Sequence, residues 1–218
     1  MPPTGPSRRG RVRPVEAAAR LLAGLVLCGT GVALLVRSGL GLGPWDVLHE
    51  GLATLTGQPI GRMVIAVGAV VLLGWLPLRQ RPGVGTISNV LVIGLTVDAV
   101  LAVTVDPVGL PLRLAYATAS VPLMGVGSGL YLGVDLGPGP RDGIMTGLAA
   151  RGVPVAVART GIELSALAAG WLLGGTVGVG TVWFALGVGP AVAWALPRLR
   201  ASWHRDAVAV ATGGPAPS

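Results

Sequence analysis

Charge is scarce in this chain. Asp, Glu, Lys and Arg make up 11% of its 218 residues, against 52% apolar ones, whereas soluble domains carry roughly 25% charged residues. Too few charged groups exist to cover a water-facing surface, and an ordinary soluble domain is excluded. Lysine is missing altogether: all 16 basic residues are arginine. Aromatic residues are only 4%, with a single Phe. The net charge of +7 and pI near 11.4 therefore do not point to nucleic acid, since base-stacking side chains are few and the arginines cluster at span ends and tails. One cysteine, Cys28, sits inside an apolar run, which excludes a disulfide framework and a cysteine metal cluster. No metal or cofactor is expected. No Walker-type G-x-x-x-x-G-K-[ST] occurs, and no nucleophile beside a base or set of His and Asp ligands is visible. Neither ATP-driven work nor enzymatic chemistry is expected of this chain.

What remains is apolar sequence in long runs, with a mean hydropathy of +0.74. Six candidate spans lie near 17–36, 61–78, 84–105, 114–134, 155–174 and 180–197. Each is close to the ~20 residues that cross a bilayer core as helix. Only helices and closed barrels satisfy their backbone in lipid, and the period-two alternation of barrel strands is absent. The first run is too long for a cleavable signal and has a counterpart at 114–134, so it reads as a span. With the N-terminus inside, the cytoplasmic side holds Arg8, Arg9, Arg11, Arg13, Arg20, Arg79, Arg81, Arg141, Arg151, Arg159, Arg198, Arg200 and Arg205, and the outside only Arg37, Arg62 and Arg113. That asymmetry predicts both termini in the cytoplasm. The expected location is a bacterial cytoplasmic (inner) membrane, with the lipid bilayer as the first partner.

The chain also repeats itself. G-L-G-P-W-D-V-L-H-E-G-L at 41–52 aligns with G-P-G-P-R-D-G-I-M-T-G-L at 137–148, an offset of 96, and G-V-G-T recurs at 83–86 and 178–181, an offset of 95. Two copies of one unit follow. The expected organisation is a disordered tail over 1–14, a first three-helix repeat over 15–109, a second over 110–200, and a disordered tail over 201–218. Three spans per copy is an odd number, so the second copy enters the membrane upside down. The predicted fold is all-α, with six transmembrane helices in two inverted-topology three-helix repeats, the plan of many secondary transporters.

Each G-x-G-P-x-D segment predicts a short helix after the first span of its repeat, over 47–55 and 143–150. Glycine permits close backbone approach and proline pre-sets a helix start. Gly41, Gly43, Pro44 and Gly137, Gly139, Pro140 are backbone or gate candidates, and Asp46 and Asp142 stand where an N-cap belongs. The short helix is either a capped interfacial connector or a re-entrant half-helix whose positive end faces a cavity. Acids within spans are costly and mark pathways. Asp98 lacks a basic neighbour within a turn, whereas Glu163 has Arg159 four residues earlier. Arg62 and Arg159 open the second and fifth spans; Arg62 is expected to pair with Glu50 or Asp46. Asp46, Asp142, Asp98, Arg62, Arg159 and Glu163 are thus the substrate- or ion-binding candidates. His49 and His204 read as unremarkable. Trp45, Trp75, Trp171, Trp194 and Trp203 lie near predicted boundaries, as an aromatic belt does. Gly170 and Gly174 form a G-x-x-x-G, which allows a homodimer.

On the two G-x-G-P-x-D segments and the two G-V-G-T elements, the chain resembles the bacterial YczE/YyaS family, related to the YitT-type membrane proteins. The resemblance covers roughly residues 15–200. It implies a multi-span inner-membrane protein with duplicated architecture and supplies no substrate. Transport of an unknown small solute or ion explains the inverted repeat, the buried acids and the broken segments together. The alternative is a non-transporting accessory, assembly or partner-binding protein with a membrane-protein partner.

Overall fold

A computed structural model describes the backbone of residues 14–212 and the side chains of residues 14–200. Nine helices follow one another among the described residues, with no strand. They are α1 (Pro14–Ser38), α2 (Pro44–Thr56), α3 (Ile60–Leu73), α4 (Trp75–Leu78), α5 (Val84–Val103), α6 (Leu110–Gly133), α7 (Pro140–Ala149), α8 (Val155–Leu172) and α9 (Val179–Thr212). Five stretches are long and apolar enough to cross a membrane: α1, α3 with α4, α5, α8, and α9 to Arg200. Their outward faces carry large apolar side chains, such as Val70 at 66%, Leu95 at 63%, Leu172 at 83% and Leu186 at 73% exposure. Water could not solvate such faces favourably; a lipid phase can.

The α6 helix is not among the five, although its 24 residues reach about 36 Å. The reason lies in its place in the bundle. It packs along both α1 and α9, and it meets them through Ser120, Gly125, Gly127 and Gly129. Small residues let backbones approach, and they also lower hydropathy.

The α1–α6 crossing has a defined register. Gly24 lies against the Gly127 carbonyl and the Tyr131 amide, Cys28 Sγ lies 4.0 Å from the Met124 carbonyl, and Gly31 lies against the Ser120 carbonyl. Positions rise along α1 as they fall along α6, so the two helices run antiparallel. By contrast α5 runs parallel to α1: Gly29 faces Ile93 and Thr96, and Arg37 bonds the Leu101 carbonyl and Thr104. The α9 helix runs parallel to α6, with Gly125 against Ala191 and Gly129 against Ala195. At the far end of α1, Arg113 donates to the Ser38 and Gly39 carbonyls at 2.6 Å each and covers the open C-terminal carbonyls.

Several boundaries differ from the expectation. The short helices start three residues early, at Pro44 and Pro140, because Gly43 and Gly139 are the N-caps and the prolines occupy the first helical position. Asp46 and Asp142 are therefore first-turn acids facing the helix dipole, and not N-caps. The second span is broken at Gly74 into α3 and α4, and its chain direction reverses at Arg79, a non-glycine residue with φ 54°. The backbone of the expected tail over 201–218 is helical to Thr212, as the uninterrupted end of α9. The expected tail over 1–14 lies, Pro14 aside, outside the described residues, as do residues 213–218.

Gly24→Ala would bring a methyl group within 2.6 Å of the Gly127 carbonyl oxygen, and should lower unfolding free energy by about 1–3 kcal/mol. Gly161→Ala meets no atom within 4 Å and should be neutral or stabilising by up to ~1 kcal/mol. Unfolding of both variants in detergent micelles checks this. Equal losses would refute the assigned crossing.

Candidate functional site

Each G-V-G-T element caps its own helix and grips the loop of the other half. The Gly83 N–H donates to Thr86 Oγ1 at 3.2 Å and the Gly178 N–H to Thr181 Oγ1 at 3.1 Å, the side-chain half of a capping box at the starts of α5 and α9. Thr86 Oγ1 then donates to the Pro138 carbonyl at 2.8 Å, and the Gly85 N–H to the Leu136 carbonyl at 2.9 Å. On the opposite side the Gly180 N–H donates to the Leu40 carbonyl at 2.7 Å, and the Leu42 N–H to the Thr176 carbonyl at 3.2 Å. Gly41 and Gly137 hold φ of 107° and 127° against Gly178 and Gly83 respectively. That conformation and that proximity both exclude a side chain.

These clasps hold the loops against the starts of α5 and α9, and the starts of α2 and α7 come together. There the Arg141 guanidinium lies 5.9 Å from the centroid of the Trp45 ring. Met124, in the interior of α6, lines the same region. Trp75, only 2% exposed, lies against Gly143 and donates from Nε1 to the Pro140 carbonyl at 2.7 Å. Trp75 is thus a buried prop for α7 and not part of a boundary belt. Trp171 and Trp194 are exposed, at 66% and 59%.

Two cavities flank the Trp45–Arg141 contact, and Met124 and Arg141 line both. The larger has a volume of about 510 Å³ and gathers Asp142, Arg159, Glu163, Ser128 and Tyr131 between α6, α7, α8 and α9. The smaller, about 70 Å³, lies between α2, α3 and α5 and is lined by Asp46, His49 and Asn89. In it His49 Nδ1 is 3.3 Å from Asp46 Oδ1, and Trp45 Nε1 is buried with no hydrogen-bond partner among the described residues.

The candidates separate accordingly. Asp142, Arg159 and Glu163 come together in the large cavity with Pro44, and Arg159 Nε bonds Glu163 Oε1 at 3.2 Å as the spacing predicts. Asp46 and Pro140 line the small cavity. Asp98 lines neither: it accepts the Gly61 N–H at 2.7 Å and ties the start of α3 to α5. Arg62 is exposed and donates to Gln58 Oε1 at 2.8 Å, so the expected pairing with Glu50 or Asp46 does not form. Glu50 instead accepts the Thr176 N–H at 2.5 Å. Gly41, Gly43, Gly137 and Gly139 act through the backbone.

The residue that sequence reading missed is Arg141. It entered only as one more cytoplasmic loop charge, yet it stands where both cavities meet. Its counterpart at the offset of 96 is Trp45, but matched positions in a repeat do not by themselves show that the two side chains meet. His49, judged unremarkable, is 7% exposed and lines a cavity.

Trp75→Phe keeps a ring over Gly143 and removes the bond to the Pro140 carbonyl. A loss of about 1 kcal/mol in unfolding free energy is expected. Unchanged stability would mean that this bond does not hold the start of α7.

Comparison with known proteins agrees with a membrane location. A family model described as a family of unknown function, DUF6198, matches residues 15–197. An uncharacterised protein of Haemophilus influenzae is 40% identical over 173 residues, covering 79% of each chain. The uncharacterised membrane protein YczE of Bacillus subtilis is 33% identical over 186 residues, 81% of this chain and 83% of that one. YyaS of the same organism is 24% identical over 166 residues, 73% and 82% of the two chains. No solved structure matches. Outward apolar faces, five membrane-length apolar stretches and these relatives lead to one conclusion: the chain is a multi-pass integral membrane protein belonging to the family of unknown function DUF6198.

Proposed function

We propose that this protein is a secondary transporter of a small solute in the bacterial cytoplasmic membrane. In this reading it crosses six times, as two inverted three-helix repeats with both termini in the cytoplasm, and alternates between two vestibules. The observation that carries the reading is the pair of unequal cavities, because their linings correspond position by position. At the offsets of 96 and 95, Asp46 matches Asp142, His49 matches Met145, Val64 matches Arg159, Gly68 matches Glu163 and Ile93 matches Val188. One is narrow at about 70 Å³ and the other wide at about 510 Å³, as expected of paired vestibules at different widths.

The helix contacts support the same symmetry. Exchanging halves turns Gly24 facing Gly127 into Ser120 facing Gly31, and both contacts occur. It likewise turns Gly51 against Leu173 into Gly147 against Leu78, and both occur. Antiparallel α1 and α6 suit opposite insertion of the two halves. With α6 taken as the sixth crossing, buried between α1 and α9, its modest hydropathy is no obstacle, since only part of it would meet lipid. The meeting of Trp45 with Arg141 beside Met124 supports re-entrant half-helices over interfacial connectors.

Site-directed labelling tests the reading. In a Cys28→Ala background, Cys at exposed Gln58 and at exposed Ala150 should react with an impermeant thiol reagent from opposite faces of the membrane. Cys at Val188, in the large cavity, should react from both faces in turn. Reaction of Val188→Cys from one face alone would favour a non-transporting accessory role. Gln58 and Ala150 on the same face would end the inverted reading.

A further inference from the structure

The large cavity holds two pairs of opposite charges, and they are not equivalent. Arg159 and Glu163 are one turn apart on α8 and satisfy each other at 3.2 Å. Arg141 and Asp142 are adjacent on the first turn of α7. Side chains at i and i+1 of a helix do not face each other, and among the described residues neither group has an ion pair or hydrogen-bond partner. The cavity thus presents one guanidinium and one carboxylate from adjacent positions of α7, neither of them in an ion pair or hydrogen bond among the described residues. Arg141 lies over the Trp45 ring, which restrains its planar fork, the geometry that binds a carboxylate in two-point fashion.

The remaining wall is largely apolar, with Leu132, Phe184, Val188 and Val192 among its residues. A bare anion would satisfy Arg141 and leave Asp142 without a counter-charge; a bare cation would do the reverse. Either half-match leaves one charge unpaired once a ligand displaces the water around it. The four lining charges sum to zero, so the cavity has no net field to concentrate ions of one sign. From these features we propose that the large cavity binds a small zwitterion with an apolar body, the chemistry of an apolar α-amino acid: its carboxylate on Arg141, its ammonium on Asp142, its side chain against Phe184 and Val188. The proposal rests on reading this cavity as the transport site and names what that site carries.

The test uses the full-length protein in lipid nanodiscs and three probes of matched shape: leucine, 4-methylpentanoate, which lacks the amine, and 3-methylbutylamine, which lacks the carboxylate. Leucine should raise Tm saturably and perturb tryptophan emission, through Trp45. Each singly charged probe should bind about tenfold or more weakly, the value of one lost charge-assisted hydrogen bond. Arg141→Gln and Asp142→Asn should each weaken leucine by a similar factor. Arg141→Gln should leave the residual affinity for 3-methylbutylamine unchanged, and Asp142→Asn that for 4-methylpentanoate. Equal affinity for leucine and either analogue, or no response to any of the three, overturns the proposal on the unaltered chain alone, whatever the variants do. Failure of this series with Val188→Cys labelled from both faces removes the zwitterion and leaves transport standing. Leucine binding with one-sided labelling removes transport and leaves the site.

Discussion

Backbone lying directly on backbone between the two halves is the constraint on which the rest depends. In lipid, apolar side chains gain little by leaving their surroundings for a neighbouring helix, so helices hold together by close packing and interhelical hydrogen bonds. This chain supplies both at its glycines. Gly41 sits on Gly178 and Gly137 on Gly83, each at a positive φ, and the bonds from Gly180 to Leu40 and from Gly85 to Leu136 cross between the halves. A single Cβ at any of these points would push the loops outward. The starts of α2 and α7 would then separate, the Trp45–Arg141 contact would part, and the two cavities would no longer share a wall.

The two halves differ at a few matched positions, and those differences explain why one cavity is small. Between α3 and α5, Gly61 and Gly94 bring the helices together and Asp98 accepts the Gly61 N–H. At the corresponding places α8 and α9 carry Ala156, Gly189 and Ala193; a Cβ on Gly189 would meet nothing within 4 Å, and Ala193 lines the large cavity. Where the first half has Val64 and Gly68, the second has the Arg159–Glu163 pair. Closing α8 onto α9 would require burying four charged side chains, which is unfavourable unless a ligand meets the two that have no partner. Size is exchanged at another matched pair: Trp75 lies over Gly143, while Val47 lies over Gly170.

Much of this was legible in the residues because glycine-bound segments that recur at a fixed offset leave their mark on spacing. The two loops, the short helices after them and the asymmetry of Asp98 against Ala193 follow from aligning the chain with itself, and the Arg159–Glu163 pair from its spacing of four on one helix. Other features were hidden for physical reasons. Hydropathy alone separates α6 from the other membrane-length helices, since its small residues serve packing. An arginine in a loop looks the same whether it faces headgroups or a cavity, so Arg141 was counted on the wrong side of that distinction. The partner of Asp98 is a backbone amide thirty-seven residues away, which no side-chain pattern reveals. Trp75 at a span end reads as a belt residue until Gly143 is found beneath it.

In the proposed cycle the Asp98–Gly61 bond holds the first vestibule shut and its absence leaves the second free to open. Exchanging the matched residues, as Asp98→Ala with Ala193→Asp, tests that idea most directly. Spin labels at Val70 and Leu91 would report the separation of α3 from α5, and labels at Ser165 and Leu186 the separation of α8 from α9, by pulsed dipolar spectroscopy in nanodiscs. The account predicts that the exchange lengthens the first distance and shortens the second. Both distances remaining as in the parent chain would contradict it.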